Sequence, residues 1–175
     1  MRKLLLLVLC FTMISGCSSN SNASEERSKK YDEYVKTVED NSDVVSNDIP
    51  FDHALEVHKV KKNLYQYTVT IDNPKIAMYN IEEIVVDKKM INGKIMFPNV
   101  GIIDDEDAQY NLIPFQSNNK KGFQKGIQLS GETSQSEFTL YVLVTWKDYA
   151  KLKTSKAFFN YHYDAKQVEK TAGES

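Results

Sequence analysis

From Ala54 onward, apolar side chains recur at every second position, and a chain patterned that way is committed to strands rather than helices. The clearest stretch is 64–71, with Tyr65, Tyr67, Val69 and Ile71 on one face and Gln66, Thr68 and Thr70 on the other. Just upstream, Leu55 and Val57 alternate with Glu56 and His58. Lys61-Lys62-Asn63 supplies a turn, so the two runs read as a hairpin. Asn73-Pro74 interrupts. The pattern resumes over 75–87 with Ala77, Tyr79 and Ile81, and Glu82-Glu83 shifts its register before Ile84 and Val86, which predicts a bulge. Asn92-Gly93 signals a tight turn into 95–97, where Pro98 ends or edges the strand.

The segment to about Asn119 is the least regular, and 126–130 then turns Ile127 and Leu129 inward. The run 138–146 carries Phe138, Leu140, Val142, Val144 and Trp146 on one face. Tyr141 and Leu143 stand on the other, as in a central strand. Ala157, Phe159, Tyr161 and Tyr163 close the series, alternating with Phe158, Asn160 and His162. Seven or eight strands of this kind, with no long helical run between them, argue against parallel crossover units. The pattern predicts a mainly β chain. It fits best an antiparallel, immunoglobulin-like β-sandwich with Trp146 in its core, and a small closed barrel is the alternative.

Size and composition agree with one such domain. The chain has 175 residues, and ten Tyr and eight Phe furnish a core. A net charge of -2 excludes a strongly basic nucleic-acid binder and an acidic disordered chain. Two Cys exclude a disulfide scaffold and a four-Cys zinc site.

Ahead of the strands, Tyr31, Tyr34, Val35 and Val38 fall at helical spacing, with Ser28 as N-cap and Asn41 as stop. A short helix over 28–41 is predicted, its polar face formed by Asp32, Glu33, Lys36 and Glu39. It is expected to pack on its own domain. A docking role, with Tyr31 and Tyr34 as partner contacts, is the sharper alternative.

The N-terminus reads as an export signal. Met1-Arg2-Lys3 is a positive start, and 4–9 with Cys10, Phe11 and Ile14 form an apolar stretch well short of the ~20 residues that span a bilayer. Ile14-Ser15-Gly16-Cys17 follows. This resembles the lipobox of bacterial lipoproteins: a branched apolar residue, two small residues, then Cys. The resemblance covers the leader alone. It implies cleavage between Gly16 and Cys17 and a thioether-linked diacylglycerol on Cys17, whose two acyl chains attach stably. Cys10 would leave with the signal and Cys17 would be alkylated, so thiol catalysis, disulfides and Cys–metal sites would go together. The small polar run 18–24 reads as a tether. The implied layout is a signal peptide at 1–16, a tether with its helix at 17–50, a β-sandwich at 51–165 and a tail at 166–175. Lys outnumbers Arg 20 to 2, which points to an AT-rich genome and a Gram-positive host. The domain would then lie on the outer face of the cytoplasmic membrane.

Little in the chain suggests catalysis. His53 and His58 are five apart and would face opposite ways on one strand, while His162 falls on a polar face. No H-E-x-x-H run and no G-x-S-x-G elbow is present, nor a Gly-rich phosphate cradle, so no cofactor is expected. Asp104-Asp105-Glu106-Asp107 is the densest acidic run. Asp104, Asp105 and Asp107 are the residues a calcium ion would use, but the EF-hand ligand order is missing and a solvated loop is expected. Lys120, Lys121 and Lys125 bracket Gly122, and Lys147, Lys151, Lys153 and Lys156 crowd the last inter-strand connection. They suit anionic headgroups or an anionic wall polymer, or serve as solvating gatekeepers of sheet edges.

The expectation is therefore a non-enzymatic, lipid-anchored module that binds another envelope protein through the Tyr31/Tyr34 stripe or an exposed strand, with no nucleic-acid partner. The alternative is recognition of an anionic envelope polymer or small ligand by the loops, with Lys147, Lys151 and Lys153 as contacts.

Overall fold

The computed structural model describes residues 19–90, 95–104 and 108–167. Among these residues, helix α1 (Ser19–Asp40) precedes nine strands: β1 (Asp52–Lys61), β2 (Leu64–Asp72), β3 (Tyr79–Asp87), β4 (Asn99–Val100), β5 (Asn111–Leu112), β6 (Phe123–Gln124), β7 (Gly126–Thr133), β8 (Glu137–Lys147) and β9 (Thr154–Asp164). The chain is mainly β. Two antiparallel sheets, ordered β1-β2-β7 and β4-β3-β8-β9, share one core. The only parallel pairing among the described residues is the two-residue match of β5 with β6.

Period-two alternation builds that core. Tyr65, Tyr67, Val69 and Ile71 of β2 are buried opposite Phe138, Leu140, Val142, Val144 and Trp146 of β8, and Ala157 and Phe159 of β9 join them. The hairpin expected at 61–63 joins β1 to β2, with Asn63 at φ 57°. Asn tolerates this left-handed conformation better than most residues.

The irregularity expected at Glu82-Glu83 lies slightly earlier. Pairing of β3 with β8 slips between Tyr79 and Glu82, where Asn80 takes φ 48°. The slip sends Glu82 to the outer face and Glu83 into the inter-sheet core. Residues 75–78 stay outside β3 and 95–97 outside β4, where the sequence pattern predicts strand. At the second site the reason is visible. Phe97 is buried toward α1 and donates its N–H to Tyr31 Oη at 2.7 Å, not to a strand neighbour. The turn expected at Asn92-Gly93 falls outside the described residues.

Helix α1 begins at Ser19 rather than at the expected N-cap, Ser28, so residues 19–24 belong to the helix and not to the tether. Ser and Asn are modest helix formers, but Ala23, Arg27 and Tyr31 share a cleft with Met96 and Ile103, and packing outweighs propensity. The helix lies on the outer face of the four-stranded sheet. Val38 is buried there with Ile84, Val86, Phe97, Ile102, Leu143 and Phe158. This second layer explains why β8 is apolar on both faces.

Candidate interaction surfaces

The helix seat accounts for Tyr31 and Tyr34. The Tyr34 hydroxyl donates to the Glu82 carboxylate, and Thr145 Oγ1 lies 2.9 Å from Tyr34 Oη. Lys30 Nζ donates to Glu82 Oε1 at 2.7 Å and to the Gly101 carbonyl at 3.1 Å. Burial, and then the adjoining Glu82 carboxylate, push the Tyr34 phenol well above its ordinary range, so it stays protonated and keeps donating. Both tyrosines are therefore engaged within the domain. A partner could use this stripe only by lifting the helix from its sheet.

The sheet edges differ in how they are closed. On β9, Ser46 N–H donates to the Phe158 carbonyl at 2.8 Å and Ser46 Oγ accepts the Phe158 N–H at 3.0 Å. On β1, β2 is the sole strand partner among the described residues. Its exposed side chains are mostly polar or charged, Glu56 and His58 among them, with Ala54 and Val60 the apolar exceptions; charge on an edge strand is a usual guard against self-pairing.

The lysines fall at one end of the molecule. There β2 ends at Asp72, β3 starts at Tyr79, β7 starts at Gly126, β8 ends at Lys147 and β9 starts at Thr154. Lys147 ends β8, and Lys151 and Lys153 occupy the β8–β9 connection, with Lys151 Nζ 5.8 Å from the centre of the Tyr79 ring. Lys120, Lys121 and Lys125 belong to the segment that leads into β7 at the same end. All six are exposed.

The sequence pattern did not flag the apolar tips among them. Phe115, Leu152 and Tyr149 are 108%, 88% and 82% exposed, the three highest values for large apolar side chains among the described residues. All three lie at this end, as does the half-exposed Ile76. The available signal was an apolar residue isolated in a polar turn, as in Pro114-Phe115-Gln116 and Lys151-Leu152-Lys153.

Titratable groups are scattered rather than gathered. His53 Nδ1 is 2.6 Å from Tyr161 Oη, and its ring stacks on Phe159 at 4.2 Å, where lost hydration lowers its pKa. His53 and His58 do face opposite ways on β1. Thr139 Oγ1 is 3.1 Å from His162 Nδ1, and Glu137 is 4.0 Å from His162 Nε2. That line copies the order of a nucleophile, base and acid, but it is a cross-strand pair on a solvated sheet face, with His162 and Glu137 54% and 62% exposed.

Asp104 accepts the Gly101 N–H at 2.8 Å, while Asp105 and Asp107 lie outside the described residues, as does Cys17 with the whole leader. Among the described residues, no group of three or more His, Cys, Asp or Glu is placed to hold a metal, and no helix is long and apolar enough to cross a membrane. Comparison with protein-family models, curated proteins and solved structures finds no match to this chain.

Proposed function

We propose that this chain is a non-enzymatic accessory or adaptor module, held by a lipid on Cys17 at the outer face of a bacterial cytoplasmic membrane, where it binds another envelope protein. The observation that carries the binding role is the edge of β1, ten residues long, which has β2 as its sole strand partner among the described residues, whereas the β9 edge is capped at its centre, at Phe158, by Ser46. An extended segment of a partner can add to such an edge through main-chain hydrogen bonds, the neighbouring side chains setting specificity. The anchor rests on Ile14-Ser15-Gly16-Cys17.

The scaffold reading is an immunoglobulin-like sandwich. Its support is the strand order. With β1, β2 and β7 taken as strands A, B and E, and β4, β3, β8 and β9 as C′, C, F and G, both sheets follow that fold's neighbours. Trp146 is buried between them.

The lysine-rich end favours the second reading, recognition of an anionic envelope polymer by the loops. Photo-crosslinkers at Glu56 and His58, in living cells, separate the two. The adaptor reading predicts one abundant membrane-protein adduct, lost in Cys17→Ala. Adducts absent from β1, together with polymer binding that weakens in a Lys147→Gln, Lys151→Gln, Lys153→Gln variant, would favour the loops instead.

A further inference from the structure

The end of the molecule that carries the lysines also carries its most exposed apolar side chains, and a soluble polyanion gives those side chains nothing to bury against. We propose that this end is an anionic-bilayer contact, with Phe115, Tyr149 and Leu152 entering the headgroup region and Lys120, Lys121, Lys125, Lys147, Lys151 and Lys153 resting on lipid phosphates. Apolar tips ringed by lysine match a membrane interface in both chemistry and layout: the rings and the leucine leave water, and the ammonium groups stay in it.

Three observations converge. First, the three tips come from two separate connections, 113–116 and 147–153, which the topology brings to one end. Second, Phe115 is held at φ 60°, a costly conformation for an aromatic residue, and is fully exposed, so no packing within the domain offsets that cost. Third, lysines crowd the connections that bear the tips, and part of the nearby acidic charge is already engaged. Of the nearby acids, Asp52 is taken by Lys75 at 3.4 Å and by Asn73 at 2.6 Å, and Asp148 accepts the Leu152 N–H at 3.0 Å. Asp72, Asp48 before β1, and Glu25 and Glu26 at the start of α1 remain, and Asp104 is turned toward Gly101 on the helix side.

The helix gives the contact its direction. Helix α1 runs alongside β3 in the same sense: Ala23 shares a cleft with Asn80, Lys30 and Tyr34 hold Glu82, and Ser42 beyond the helix meets Lys88 at 2.9 Å. The chain therefore enters the domain at the end where β3 begins, which is the loop end. Cys17 precedes Ser19 by two residues. In this respect the inference rests on the anchor reading: an acylated Cys17 and the loop tips would enter the same leaflet, and the domain would sit on the membrane rather than swing from it. The opposite end, with the 61–63 turn, would face away.

The test uses the full chain reconstituted with vesicles whose acyl chains are brominated, a contact quencher of tryptophan, in neutral phosphatidylcholine or with added phosphatidylglycerol. Leu152→Trp reports the loop end and Val60→Trp the opposite end, each measured against the parent's buried Trp146. In phosphatidylglycerol vesicles the added signal at position 152 is expected to fall at least about twofold, less in neutral vesicles, and position 60 is expected to hold its emission. Adding Lys147→Gln, Lys151→Gln and Lys153→Gln to Leu152→Trp should restore most of that signal. Equal emission at 152 and 60 in every vesicle overturns the proposal. So does a response at 152 to soluble polyphosphate with no quenching by brominated lipid, which would assign the end to a polymer. Loss of the anchor alone does not mimic either result, because quenching is read at the loop and acylation is read by mass at Cys17.

Discussion

Glu83 occupies a position where alternation calls for an apolar side chain. It points into the inter-sheet core and is fully buried, and both carboxylate oxygens lack a hydrogen-bond partner. Burial pushes its pKa up to about 8, against 4.5 for the free side chain, so the carboxyl is largely protonated near neutrality. Tyr161, raised to about 12 by burial and then by the Glu83 charge, belongs to the same interior. The sign of the pH effect follows. Between 4.5 and about 8 the folded chain keeps a proton that the unfolded chain has released, so stability falls as pH rises through that window. One pKa unit is worth about 1.4 kcal/mol, so the loss amounts to several kcal/mol. Glu83→Gln should flatten this slope and leave the variant more stable than the parent above the window. Urea unfolding midpoints on either side of it check the prediction, and a parent with equal midpoints would contradict it. The sequence could not assign this residue to the core, because the Asn80 slip decides which of Glu82 and Glu83 turns inward.

At the scale of elements, the strands were legible and the helix only half so. Period two identified β2, β8 and β9 and their inward faces, because burial on one side of a sheet leaves its mark on every second residue. Helical spacing of Tyr31, Tyr34, Val35 and Val38 identified the buried face of α1. What that face met was illegible: the hydroxyl partners Glu82, Phe97 N–H and Thr145 lie 48, 66 and 111 positions away. The seat can be tested. Glu82→Ala removes the acceptor shared by Lys30 and Tyr34 and should cost about 1–2 kcal/mol, since hydrogen bonds to a charged group are stronger than neutral ones and this site is partly solvated. Tyr34→Phe should cost less, about 1 kcal/mol. In both variants amide hydrogen exchange should quicken in α1 well before the strands respond. Uniform acceleration through both sheets would show that the helix is no separate unit.

For the whole molecule, the proposed roles fall at its ends. Residues 18–24 were expected as a tether, and their helical placement from Ser19 shortens whatever links Cys17 to the domain. The loop end was illegible as a surface because sequence separates what the sandwich brings together: 115 and 152 share an end only once β3 and β8 are paired. The lysines drew notice there, and the apolar tips did not, since a single Phe or Leu in a turn carries no period. In the proposed arrangement the chain is held at the membrane by its N-terminus, loop end toward the lipid and β1 open to a partner. The attachment and the orientation in that picture depend on Cys17. Mass spectrometry of the N-terminal peptide, from protein purified out of the host membrane, tests it most directly. A peptide that begins at Cys17 and carries a diacylglyceryl group is the predicted result. A peptide that retains Gly16, or a Cys17 with a free thiol, would contradict it.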